Sequence, residues 1–218
     1  VSGNEALRPI SLWCSQGLSI QWLASQLHEF EMSHPDVKID LRPSDRPANL
    51  LAREADANIF MQREADICAG VPRGLRSQVL VRPTAVIVAS PNLAKGLISL
   101  TSMDELLQVP LLHGANTDDW RSWFESHGVP TPSELPGQLC WHPHMALEAA
   151  RLGKGALLSN RFFVERDLEM GNLVELKISG NLQRTIGAYT FVSRVDCSHS
   201  SSLAKFRRFL TERMKQTM

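Results

Sequence analysis

Chemically capable residues sit at the ends of short apolar runs in this chain. Cys14-Ser15-Gln16-Gly17 follows Ile10 to Trp13, Cys68 closes Ala65-Asp66-Ile67, His113 follows Leu111-Leu112, and Trp141 and His142 follow Gln138-Leu139-Cys140. A serine hydroxyl and a glutamine amide just ahead of a helix suit a carboxylate or another anion, because the first N–H groups of the helix and its positive dipole end face the same way. The plainer role for Ser15 or Ser19 is to cap that helix, worth about 1 kcal/mol. One loop can do both. His113, His142, His144, Cys14 and Cys140 lack the spacing that would bind them into a metal site, so polar lining is the better account and no metal is expected. A redox role for Cys14 or Cys68 would need a nearby cation to lower the thiol pKa, and inert thiols are the simpler expectation.

No catalytic constellation accompanies these residues. The chain holds no Gly-x-Ser-x-Gly elbow, no His-Glu-x-x-His and no Gly-x-Gly-x-x-Gly after a strand. Gly153-Lys154-Gly155 is too short for a phosphate loop and reads as a helix stop. An enzyme is therefore not expected, nor an organic cofactor. Trp120, Trp123 and Phe124 could stack a planar ligand, but their helical spacing favours core packing. The basic residues Lys205, Arg207, Arg208, Arg213 and Lys215 read as one solvated helix face, interrupted by Glu212.

The elements that must position these residues alternate between strand and helix, which favours mostly parallel sheets flanked by helices. Ile10 to Trp13 is a strand, and Ile20, Leu23, Leu27 and Phe30 mark one face of the helix after it. Ser33-His34-Pro35-Asp36 stops that helix, and Val37, Ile39 and Leu41 alternate as a second strand. Asn49 to Met61 reads as helical, Ala65 to Gly70 as a short strand, and Ala85 to Ala89 as a fully buried one. In the second half, Ser102 with Glu105 makes a capping box. Strands at Leu111 to His113, Gln138 to Trp141, Ala156 to Ser159 and Leu173 to Leu176 alternate with helices that stop at Gly128, Gly153 and Gly171. Gly187 to Val192 is a last strand, and Leu203, Phe206, Leu210 and Met214 make the stripe of a last helix.

Pro83, between two apolar runs, reads as a hinge. If the last strand and helix return to the first half, the chain crosses twice, near Pro83 and near Gly187. The expected fold is α/β, with two Rossmann-like lobes and a central cleft: residues 1–82 with 188–218, and 83–187. Ligands of open α/β sheets bind beyond the carboxyl ends of strands. That rule places Cys14, Ser15, Gln16, Cys68, His113, Trp141 and His142 near the cleft.

Composition narrows the function further. The 218 residues balance 23 basic against 23 acidic side chains, a formal net charge of +0 that gives no electrostatic reason to bind nucleic acid. No apolar run is long enough to span a bilayer, the amino terminus lacks a signal-peptide pattern, and a membrane partner is not expected. The 4 cysteines are far apart, as suits reduced thiols in the cytoplasm. The start at Val1, without an initiator methionine, reads as a truncation point.

Several segments then match a known family in order and spacing. Gln21-Trp22-Leu23 with Leu27 and Phe30, then His34-Pro35-Asp36-Val37, resembles the first helix and second strand of LysR-type effector domains. Ala65-Asp66-Ile67-Cys68-Ala69-Gly70 is similar to their "D-[LI]-x-[IV]-x-x-G" strand, slightly compressed. Pro110-Leu111-Leu112-His113, with Asp119-Trp120, Trp123 and Gly128, resembles the subgroup that includes glycine-cleavage and β-lactamase regulators. Met145 to Ala150, then Gly153 to Leu158, is similar to the family's helix and Gly-x-Gly-hydrophobic strand. The match runs from about Pro9 to Met214. Two places depart from it: the loop Cys14 to Gly17, where relatives often carry a threonine-proline-serine type sequence, and a long Asn49 to Gln62.

The resemblance implies a type II periplasmic-binding-protein-like fold and a small-molecule effector in the cleft; the Ser15 and Gln16 loop makes an anionic or zwitterionic effector the expectation. It adds Tyr189, on the returning strand, to the ligand-binding candidates and supports His142 on independent grounds. It further implies a homodimer, a tetramer in the full-length protein, and DNA contact only through a winged helix-turn-helix upstream of these residues. A transporter's solute-binding protein shares the fold and is the alternative, distinguished by a secretion signal.

Overall fold

The computed structural model describes residues 8–97, 102–178, 184–185, 187–197 and 201–217. The chain divides into two compact units, Val1–Pro83 with Gly187–Met218, and Thr84–Ile186.

In the first unit, β1 (Ile10–Ser15) leads into α1 (Gln16–Leu18), a π-helical turn (Ser19–Leu23) and α2 (Ala24–Ser33). After β2 (Ile39–Ser44) come β3 (Ala57–Gln62), α3 (Glu64–Ala69) and β4 (Leu75–Val81). The chain re-enters this unit as β10 (Ala188–Arg194) and ends in α8 (Ser201–Gln216). The sheet order is β2-β1-β3-β10-β4. Strands β1, β2 and β3 run parallel, while β10 lies antiparallel between β3 and β4. One face packs Trp13, Ala48, Leu50 and Ala55 against Phe60, Leu75 and Val192. By strand alternation the other face carries Leu12, Cys14, Ile59 and Phe191, all buried. There Phe30 of α2 meets Phe206 of α8 at 5.0 Å between ring centroids, and Leu203, Phe206, Leu210 and Met214 form the buried stripe of α8.

The second unit holds β5 (Ala85–Ala89), α4 (Pro91–Gly96), a 3-10 turn (Asp104–Gln108), β6 (Leu111–His113), α5 (Asp118–Ser126), β7 (Gly137–Leu139), α6 (Pro143–Arg151), β8 (Ala156–Asn160), α7 (Arg161–Glu169) and β9 (Val174–Glu175). Its sheet order is β7-β6-β8-β5-β9. Ile87, Leu111 and Ala156 pack on Trp120, Trp123 and Phe124 of α5 on one face. Val88, Leu112 and Leu157 pack on Ala146, Leu147, Phe163 and Val164 of α6 and α7 on the other. Strand β5 is therefore buried on both sides, as its unbroken apolar run requires. The Arg151 guanidinium joins α6 to α7 through two 2.8 Å bonds to the buried Asp167 carboxylate.

Five details differ from what the sequence suggests. Both sheets are mixed, because β10 and β5 each run against a parallel set. Asn49 to Met61 is not helical: turns carry Leu50 to Arg53, and β3 begins at Ala57. The loop leading into that stretch is instead pinned to the strand. Ala48 N donates to Asn58 Oδ1 at 3.0 Å, and Asn58 Nδ2 donates back to Ala48 O at 2.9 Å. Ala65 to Gly70 is not a strand, since Glu64–Ala69 form α3; the acid-then-apolar strand pattern is carried by Asp56-Ala57-Asn58-Ile59. Ser102 does not cap its turn, where Met103 takes the N-cap position without a side-chain bond. The wide π turn also rotates the first helical face, so Leu18, Trp22, Leu23 and Phe30 are buried and Ile20 is 55 % exposed.

The re-entry point is sterically demanding. Gly187 adopts φ +139, and a Cβ there would stand 2.4 Å from Gln62 O. Gly187→Ala should destabilise the protein by about 1–3 kcal/mol. A lowered urea midpoint checks this, and an unchanged midpoint would contradict the close approach.

Candidate functional site

Parallel strands that finish together make a polar edge on each unit. In the first unit β1, β2 and β3 end at Ser15, Ser44 and Gln62, and β10 begins beside them, with Ala188 opposite Gln62. Ser15 lies opposite Ser44. Cys14 lies opposite Ile59, so Ser15 falls next to Phe60, which in turn faces Thr190. Strand alternation puts Ser15 and Thr190 on the face of Trp13 and Phe60, and Cys14 and Tyr189 on the opposite face.

The side chains at this edge have distinct environments. Ser15 occupies the N-cap position of α1, yet its side chain makes no cap bond. The buried Ser19 hydroxyl donates to Cys14 O at 3.3 Å. Cys14 is itself fully buried, and burial pushes its thiol up to about 12, against the smaller opposing effect of the Ser19 and Ser15 hydroxyls. That is an inert thiol. Gln16 is half-buried, as is Gln62. Thr190 is 1 % exposed, and its Oγ1 stands 2.7 Å from Gln62 Oε1. Tyr189 is buried.

Cys68 does not share this edge by the route its sequence suggested. It lies exposed on α3, beyond the end of β3, and the residue at the strand tip is Gln62. Neither Gln62 nor Thr190 stands out in the sequence reading. The Asp56-Ala57-Asn58-Ile59 pattern, taken as the strand, would have brought β3 to its end at Gln62.

In the second unit β6, β7 and β8 run parallel and end at His113, Leu139 and Asn160. His113 is buried, with Nε2 3.1 Å from Pro136 O. Its Nδ1 is also buried and has no hydrogen-bond partner among the described residues. Burial holds its pKa below the ordinary histidine value; the bond to Pro136 opposes this, and the Arg121 charge adds to it. Backbone bonds from Cys140 N to His113 O at 2.9 Å and from Trp141 N to Gly114 O at 3.1 Å extend the pairing past β7. Trp141 then turns into the left-handed region at φ +61, and the residue is 67 % exposed. A large side chain held in that backbone region is uncommon. His142 is exposed at the N-cap of α6, makes no side-chain cap, and is followed by Pro143 in the first turn. Among the described residues no group of three or more His, Cys, Asp or Glu is placed to hold a metal ion, and no helix is long and apolar enough to cross a membrane.

Two α/β units, one interrupted and one continuous, with polar strand ends on each, define a ligand-binding class of fold. Residues 3–215 match the family described as the LysR substrate binding domain, and the chain belongs to that family. It is 28 % identical over 196 residues to the glycine cleavage system transcriptional activator of Escherichia coli K12, covering 88 % of this chain and 60 % of that protein. The chain thus spans about three fifths of the length of that relative. Among solved structures it shares its fold with the AmpR effector binding domain of Citrobacter freundii, at a TM-score of 0.78 and 19 % identity over 96 % of this chain and 99 % of that one. The AmpR effector domain of Pseudomonas aeruginosa superposes at a TM-score of 0.75 with 22 % identity, covering 95 % of each chain. The fold is the two-lobe, periplasmic-binding-protein-like one of LysR effector domains.

Two measurements test these environments. Brief iodoacetamide treatment of the native protein at pH 8, read by peptide mass spectrometry, should label exposed Cys68 and spare Cys14; rapid labelling of Cys14 would contradict its burial. His113 has a folded pKa below its unfolded value, so its stabilising contribution is present above about pH 6.5 and lost as pH falls through the folded value. Unfolding free energy should therefore drop more between pH 7.5 and pH 5 in the wild type than in His113→Gln, and equal drops would count against this.

Proposed function

We propose that this chain is the non-enzymatic, effector-sensing part of a LysR-type transcription factor, and that its effector is a small anionic or zwitterionic molecule. The observation that carries the reading is the Ser15 hydroxyl, which ends a buried strand at a helix start and makes no cap bond. With Gln16 it offers donors at a place where backbone N–H groups and the helix dipole also favour negative charge. On the second unit, Trp141 and His142 are exposed just past the end of β7, and His113, at the end of β6, is buried.

An effector held this way acts only if it binds two conformations with different affinity. In this reading the conformational change alters the geometry of a homodimer, or of a tetramer in the full-length protein, on DNA. DNA contact falls to a winged helix-turn-helix upstream, which accords with the net charge of +0 here and with the greater length of the relatives. The site of action is the cytoplasm. The transporter-associated alternative is not favoured, because the relatives are named as transcriptional activators.

A thermal-shift comparison tests the proposal, since a ligand held only by the native state raises the melting temperature. Acetate, benzoate, succinate and glycine are set against choline and ethylammonium. At least one anion or zwitterion should stabilise the chain, and stabilisation by the cations alone would refute the reading. The Ser15→Ala, Gln16→Ala double variant should lose that shift while its unfolding free energy changes by no more than about 0.5 kcal/mol. A retained shift would remove these two residues from the site.

A further inference from the structure

The end of β3 carries an amide whose orientation is already set. We infer that Gln62 is a specificity-determining residue that donates to a carboxylate of the effector, with Thr190 as its positioning residue. The inference rests on the reading of the first unit's strand-end edge as an effector site, and it adds to that site a residue outside the loop after β1.

The geometry decides which way the amide faces. Thr190 Oγ1 stands 2.7 Å from Gln62 Oε1 and 3.4 Å from Phe60 O. A hydroxyl has a single hydrogen, and the shorter contact has the length of an O–H···O bond, below the usual N–H···O distance. Thr190 therefore donates to the amide oxygen. Thr190 is 1 % exposed, so this bond is made away from water and competes with little. The amide nitrogen is left with two hydrogens turned from Thr190, and among the described residues it has no hydrogen-bond partner. Gln62 itself is half-buried rather than enclosed.

The neighbours fit the same chemistry. Ser15, on the same face one strand away, supplies a second hydroxyl at this edge. The nearest acid along the chain, Glu64, is occupied by Arg82 at 2.7 Å, which removes a repelling charge from the end of β3. Gly187, where a Cβ would meet Gln62 O at 2.4 Å, keeps β10 close enough for Thr190 to reach. A donor held in place by a buried partner loses little freedom when a ligand arrives, which favours an acceptor such as a carboxylate over a cation.

The test uses the 218-residue chain and acetate, benzoate, succinate and glycine as probes, with benzamide and glycinamide as uncharged-end counterparts, by calorimetric or NMR titration. Gln62→Glu keeps the shape and the Thr190 bond but replaces the amide NH2 with a charged oxygen. It should weaken carboxylate binding by about tenfold or more while leaving the melting temperature near wild type. Thr190→Val should weaken it less, by about three- to tenfold, and Thr190→Ser should restore it; a purely structural role for Thr190 would move stability without changing the carboxylate-to-amide preference. If the wild type binds a carboxylate and Gln62→Glu binds it equally well, the assignment of Gln62 fails while the strand-end site stands. If the wild type binds none of the carboxylates, both fall.

Discussion

Strand direction decides which residues come to share an edge in this molecule. Three parallel strands in each sheet finish on one edge, and there backbone and side-chain polar groups escape the two apolar layers that cover the sheets. In the first unit β10 runs antiparallel and so begins, rather than ends, where β1, β2 and β3 stop. That reversal brings residues from near the end of the chain to the same edge as Ser15. The polar character of the edge is then a matter of alternation. Ser15 and Thr190 fall on one face, Cys14 and Tyr189 on the other, and neighbours in sequence acquire opposite environments.

Burial gives neighbouring side chains at these edges opposite environments. Cys14 and Ser15 are adjacent, yet one thiol is driven far from ionisation by desolvation and the neighbouring hydroxyl is left without a cap to make. His113 and His142 show the same division in the second unit, one a buried, neutral-favouring imidazole and the other an exposed one. The indoles divide likewise: Trp120 and Trp123 pack in the α5 core, while Trp141 projects from a left-handed backbone position.

The long periodic elements were legible in the sequence because burial reinforces what spacing suggests. The stripe Leu203, Phe206, Leu210 and Met214 and the aromatic face of α5 are read correctly from the 3.6-residue period alone. The region from Asn49 to Gly70 was not legible, and the reason is tertiary. Alanine and leucine there favour a helix, but Leu50 and Ala55, with Ala48 just ahead of them, gain more by covering Trp13 and Phe60, and two bonds between the Ala48 backbone and the Asn58 side chain fix the start of the loop. Displacing that strand by a few residues hid Gln62 and put Cys68 in its place. The absence of a cap at Ser15 and the positive φ of Trp141 have no sequence signature, since both depend on how distant backbone segments meet.

The interrupted connectivity has a consequence for synthesis. The unit from Thr84 to Ile186 is contiguous and is complete as soon as its own residues have left the ribosome. The other unit is not, because its fourth strand in sheet order, β10, is translated only after the whole of the Thr84–Ile186 unit. Until then β3 and β4 offer unpaired edges and an uncovered apolar face to solvent, the kind of surface that draws chaperones or aggregates. Of these two units, the one begun earlier is finished later.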